Sequence, residues 1–132
     1  MSGQDVETVR ALVDAWNRGD LEATVAHFDP DGTIRLAGIF PGLRREYRGL
    51  GEIRQWWRDF RDPWEELTVS AERTIERDGQ VLVEVRFNAR GRDGLVVERS
   101  AAALCTFRDG LLIEFRTFGD WGEALEGSGL EE

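Results

Sequence analysis

Outside its 26 aspartates and glutamates, few side chains in this sequence can do acid–base or nucleophilic chemistry, and those few stand apart from one another. His27 is the single histidine. It flanks the apolar stripe of a short helical segment, so an acid–base role competes with a hydrogen-bonded, half-buried place in the core. Tyr47 is the single tyrosine. It can donate a hydrogen bond from the loop before a later helix, or simply pack there. Cys105 sits among apolar strand residues with no histidine fixed beside it, the setting of an inert core thiol. All 17 basic residues are arginine, which excludes a Schiff-base lysine and a phosphate-loop lysine. One cysteine and one histidine exclude an intrachain disulfide, a cysteine-rich zinc site and a histidine-cluster metal site. Asp29-Pro30-Asp31-Gly32 resembles the start of a calcium loop but lacks the later acidic positions, so it reads as a turn. No metal and no cofactor are expected. Arg44, Arg45 and Arg48 form the one tight basic cluster, either a solvated loop or an anion or partner site.

The whole chain bounds these choices. Its 132 residues make one ordinary domain, and 41% hydrophobic with 33% charged residues is a globular balance. A net charge of −9 repels phosphate backbones, so no nucleic-acid partner is expected. No apolar run approaches a membrane span and no basic-then-apolar leader is visible, so the expectation is a cytoplasmic protein without membrane contact.

The elements that must position these groups follow from periodicity. Val6, Val9, Leu12, Val13 and Trp16 recur at helical spacing and predict a helix over 5–18, stopped by Gly19. Asp20 caps a second, short helix whose buried stripe is Leu21, Val25 and Phe28, ended by the turn 29–32. Residues 33–37 read as a strand, and 38–49, with Pro41, as a loop. Ile53, Trp56, Trp57 and Phe60 fall at i, i+3, i+4 and i+7 and predict a third helix over 50–61. The remainder is strand-like. Leu67, Val69, Ala71 and Ile75 mark one strand, and Asp78-Gly79 is a hairpin turn. Val81 to Ala89 alternate apolar and polar, 92–94 turn the chain, and Asp109-Gly110 joins two further strands. Residues 120–130 close the chain as a short helix or coil. Helices must cover one face of this antiparallel meander.

Several stretches then resemble one family. Trp16-Asn17-Arg18-Gly19-Asp20-Leu21 is similar to the junction of the first two helices in SnoaL-like proteins of the nuclear transport factor 2-like superfamily. His27-Phe28-Asp29-Pro30-Asp31 resembles their approach to the first strand. Tyr47-Arg48-Gly49 with Ile53, Trp56 and Trp57 resembles their third helix, and Asp109-Gly110, Phe118 and Asp120 their last hairpin and strand exit. The resemblance spans nearly the whole chain in the right order. It implies an α+β cone-shaped roll, with three N-terminal helices packed in the concave face of a curved, mainly antiparallel sheet, around an internal pocket.

Matched to that register, Val81, Val83, Val85, Phe87 and Ala89 face inward, as do Val97, Arg99, Ala101, Ala103, Cys105 and Phe107, and Ile113, Phe115 and Thr117. Leu12, Trp16, Trp56, Phe60, Ile34 and Leu36 complete the interior. The expected ligand-binding set is Trp16, Leu36, Trp56, Phe60, Val85, Phe87, Arg99, Ala101, Ala103, Phe115 and Thr117. The tryptophans serve either as core packing or as a stacking wall. Small Ala101 and Ala103 leave room for a guest.

The same register tests the chemistries this fold carries. The tyrosine, base and acid of ketosteroid isomerases fall on Leu12, Leu36 and Ala103. The arginine and two carboxylates of epoxide hydrolases fall on Val85, Phe87 and Thr117, and the cyclase aspartate also on Thr117. None can ionise. Arg99 is the single charge on the inward set, either half of a structural ion pair or a clamp for a ligand oxygen. Asp120, at the exit of the last strand, is a helix cap or a base. Three readings remain. The first is a protein that binds a small, mostly apolar molecule. The second is an acid–base enzyme using Arg99, Tyr47, His27 or Asp120. The third is an interaction module. Leu82, Ala102, Leu104, Leu112 and Phe118 are expected to point outward as one apolar patch, which predicts a homodimer through the outer sheet face.

Overall fold

The computed structural model describes residues 2–38 and 42–131, so Pro41 lies outside the described residues. In chain order the elements are α1 (Ser2–Asn17), α2 (Leu21–Val25), β1 (Phe28–Arg35), β2 (Glu46–Arg48), α3 (Gly49–Arg61), β3 (Trp64–Arg77), β4 (Gln80–Gly91), β5 (Val96–Arg108), β6 (Leu111–Phe118) and α4 (Trp121–Ser128). The strands form one curved, unclosed sheet in the order β2-β1-β6-β5-β4-β3. Every pairing is antiparallel except β1 with β6. The three N-terminal helices fill the concave face, and this is the cone expected from the sequence.

The meander is made by its turns. Asp78 and Gly79 both take positive φ, as do Asp109 and Gly110. Two successive left-handed residues match the twist of the strands they join, and Asp-Gly tolerates that geometry. At the β3 edge, α1 is tied to the sheet through Asn17. Its side-chain amide donates to the Val69 carbonyl (2.8 Å) and its carbonyl accepts from the Val69 amide (2.9 Å), as a neighbouring strand would. That pairing occupies backbone groups that an edge strand otherwise leaves open. Asp20 caps α2, its Oδ1 accepting from the Ala23 amide at 3.0 Å.

Four details depart from the sequence reading. Residues 29–32 do not separate helix from strand; they lie within β1 as an irregularity, with Asp29 Oδ1 accepting from the Asp31 amide. The 38–49 loop contains the short strand β2. A register shift between Ala71 and Arg73 sends Ile75 to the outer face, opposite Leu82. A second shift, between Thr106 and Phe107, pairs Phe107 with Leu112, so Leu112 rather than Ile113 enters the main core.

The outer face carries a second core. Leu82, Ala102, Leu104 and Phe118 do gather there, but α4 covers them with Trp121 and Ala124, and all six side chains are buried. Ile75, Leu125 and Leu130 border this second core. The open apolar patch that motivated a sheet-to-sheet dimer is therefore filled by the chain's own C-terminal helix.

Candidate functional site

Between the helices and the concave sheet lies a cavity with about 80 Å³ of space for the centre of a water molecule. Its helical wall is aromatic because Trp16 of α1 and Trp56 and Phe60 of α3 fall on the stripes that face the sheet. Trp16 lies 5.1 Å from Trp56 and 5.4 Å from Phe60, and Trp56 lies 5.9 Å from Phe115 of β6. The opposite wall is sheet. Leu36, Val85, Phe87, Ala101, Ala103, Phe115 and Thr117 all line it. Ala101 and Ala103 stand mid-β5 where larger side chains would reach the aromatic wall, so small residues keep the space open.

Ten of the eleven sequence-predicted ligand-binding residues thus meet in one cavity; Arg99 is the exception. It is exposed, and it lines a second, larger pocket of about 380 Å³ with Asp59, Trp64, Leu67 and Val97. Phe60 and Phe87 line both spaces. Arg99 is correctly placed on the concave face of β5 but lies beyond the enclosed part. Its structural-pair reading fails: among the described residues it has no hydrogen bond and no ion pair.

The other polar candidates are elsewhere. Tyr47 is fully buried under α3, and its hydroxyl donates to Asp59 Oδ2 (3.0 Å) and accepts from the Arg44 amide (3.2 Å). Burial, then the Asp59 carboxylate, hold its pKa above the usual value. It lines neither pocket. His27 is half-buried between α2 and β1, also away from both pockets, and burial alone lowers its pKa. Asp120 caps α4, its Oδ1 accepting from the Glu123 amide at 2.8 Å on the outer face. None of the three lines the cavity.

Within the cavity the polar groups are few. The Thr117 hydroxyl accepts from the Ala37 amide (2.9 Å), and the Thr24 hydroxyl donates to the Asp20 carbonyl (2.8 Å). Cys105 is the one titratable lining residue among those described, and burial pushes its thiol up to about 12, so it stays protonated. Leu12, Leu36, Val85, Phe87, Ala103 and Thr117 all line this cavity, and none of them carries an ionisable group. Trp16 and Trp56 each bury an indole N–H without an acceptor. Arg61 braces this wall. Its guanidinium donates to the Trp16 carbonyl at 2.7 Å and lies 5.1 and 4.9 Å from the Trp16 and Trp57 ring centres. The sequence reading missed Val9, Val13, Thr24, Phe28, Val69 and Ala102 as lining residues. Val9 and Val13 share the helical stripe of Leu12 and Trp16, a signal that was available.

The family model for the SnoaL-like domain matches residues 9–115. The chain belongs to the SnoaL-like family. An NTF2-like protein of unknown function from Burkholderia pseudomallei superposes with a TM-score of 0.81 at 20% identity, over 93% of this chain and 95% of that one. TerC, co-crystallised with polyporic acid, gives 0.79 at 17% identity over 94% and 96%. A hypothetical protein with a ketosteroid isomerase-like fold from Catenulispora acidiphila, in complex with trimethylamine, gives 0.76 at 19% over 95% and 94%. These similarities establish the fold. No curated protein matches the chain significantly in sequence. Among the described residues of this SnoaL-like protein no helix is long and apolar enough to cross a membrane, and no cluster of side chains could hold a metal ion.

Proposed function

We propose that this SnoaL-like protein binds a small, mostly apolar molecule in the inner cavity. The observation that supports it best is the cavity itself, kept open by Ala101 and Ala103 opposite an aromatic wall. At about 10–15 Å³ per water-sized centre the space would take several waters, yet its walls offer them few partners. An apolar guest loses less by entering than water does, and flat rings match walls of Trp and Phe. Fold neighbours with a bound small molecule are in keeping with this reading.

The acid–base alternative finds no support inside. The lining residues carry no carboxylate or imidazole, and the one thiol is held protonated. Binding of uncharged aromatic probes such as indole and naphthalene, followed by calorimetry, tests the proposal. Saturable binding to the native protein, lost in Ala101→Leu, is the expected result. Equal binding by both proteins, or none by either, rejects the cavity as the site.

A further inference from the structure

The cavity and the outer pocket share one floor. Along β5, Ala103, Ala101, Arg99 and Val97 stand on the same face, the first two lining the cavity and the last two the outer pocket. Arg99 is therefore the next inward side chain after Ala101, about 7 Å along the strand. Its cross-strand partner is Phe87, which lines both spaces.

Arg99 is the only cation on either wall among the described residues, and it is unengaged. Nearby Arg86 and Arg90 on β4 are each paired, with Glu98 and Glu66. The one carboxylate on the outer pocket's wall, Asp59, is already occupied. Its two oxygens accept from the Tyr47 hydroxyl (3.0 Å) and from the Gln55 amide (2.6 Å). A chain with a net charge of −9 has no general attraction for anions. One free guanidinium beside an apolar cavity is thus a local exception, and it supplies two parallel N–H donors in the plane that a carboxylate matches.

We propose that the molecule bound here is a hydrophobic carboxylic acid, its apolar body in the cavity and its ionised carboxylate on Arg99. The inference rests on the cavity being the binding site. Phe60 and Phe87 would lie along the length of such a ligand, and the bound body would displace water from one side of the ion pair, strengthening it.

Calorimetry with hydrocinnamate and its uncharged amide separates the two ideas. The native protein is expected to bind the acid about tenfold or more tightly than the amide at low salt, with the preference shrinking as salt rises. Arg99→Met is expected to abolish that preference, weakening acid binding far more than amide binding; since Arg99 is exposed and unpaired, the variant should fold as the native protein does. Arg99→Lys should restore part of it. Equal binding of acid and amide by the native protein, or a preference that survives Arg99→Met, overturns the carboxylate proposal while amide binding lost in Ala101→Leu keeps the cavity reading intact. Binding of neither compound overturns both.

Discussion

Phe60 on α3 and Phe87 on β4 meet with ring centres 5.6 Å apart, and both belong to the inner cavity and to the outer pocket. The pair stands where an enclosed apolar space gives way to one that carries a charge. Phe87 is only half-buried, so Phe87→Ala should cost less than the full loss of a core phenylalanine, about 1–3 kcal/mol. It should also widen the junction between the two spaces. Longer aromatic probes should then bind more tightly than to the native protein while single-ring probes lose affinity. Unchanged selectivity with probe length, measured by calorimetry, would show that the two spaces are independent.

Ala101 and Ala103 are buried, and the volume they leave is the cavity. Leucine at either position can occupy that volume instead of colliding with a filled core. Ala101→Leu and Ala103→Leu should therefore stay near native stability, below the roughly 1–3 kcal/mol typical of overpacking, and should lose probe binding. Urea unfolding alongside calorimetry checks both halves. Strong destabilisation of both variants would mean that the space is too small to admit a guest.

Much of this arrangement was legible because it depends on periodicity. The stripe of Ile53, Trp56 and Phe60 and the alternation from Val81 to Ala89 put side chains on one face by backbone geometry alone, and the register implied by the family resemblance then chose the inward face that gave ten cavity residues. The failures come where that counting is interrupted. Ile75 and Leu112 lie just beyond register shifts, and each shift reverses the face that period-two counting assigns. Arg99 kept its face, but how far along the cone the enclosed part reaches depends on how Phe60 and Phe87 meet. That contact joins residues 27 positions apart and leaves no local pattern. The unpaired indole N–H groups of Trp16 and Trp56 are likewise products of packing. Asn17 shows the reverse case: a residue in the family-like helix junction that proved to be the link between α1 and the β3 edge.

His27 makes stability depend on pH in a defined window. Burial lowers its folded pKa below the ordinary 6.5, so the unfolded chain binds the proton more readily. The stability gained from the neutral imidazole is complete above that value and is lost as pH falls through the lower, folded pKa. Glu22 and Glu46, whose pKa values are lowered from 4.5 chiefly by hydrogen bonds from Arg54 and Arg48, act in the same direction but at lower pH. From about pH 7.5 to about pH 5 the slope should therefore belong to His27. Urea midpoints of the native protein should fall over that range and those of His27→Gln should fall less. Parallel slopes would assign the dependence to other groups. Probe binding in the cavity should be unaffected, because His27 lines neither space.

Leu104 is the sharpest test of what covers the outer face. It is buried among Leu82, Ala102 and Phe118 on the sheet and Trp121 and Ala124 on α4. The contact between helix and sheet is close: a Cβ on Gly127 would lie 2.6 Å from Phe118 Cε2, so only glycine lets α4 seat at that point. Asp120 fixes the start of the helix and Arg73 stacks 4.4 Å from the Trp121 ring, holding it down. Leu104→Glu would place a carboxylate beneath this lid. Its cross-strand neighbour Arg116 lies beside Phe118 and could reach the new charge only by leaving that ring. The expected result is a loss of at least about 3 kcal/mol, combining lost leucine burial with a poorly paired buried charge. The release of α4 should also open its sequence to limited proteolysis. Gly127→Ala should weaken the same contact more mildly. If the patch were instead open and paired with a second copy, Leu104→Glu would convert a native dimer into a stable monomer with α4 still protected. Sedimentation and proteolysis on the same variant distinguish these outcomes, and a well-folded monomer derived from a dimer would contradict burial under α4.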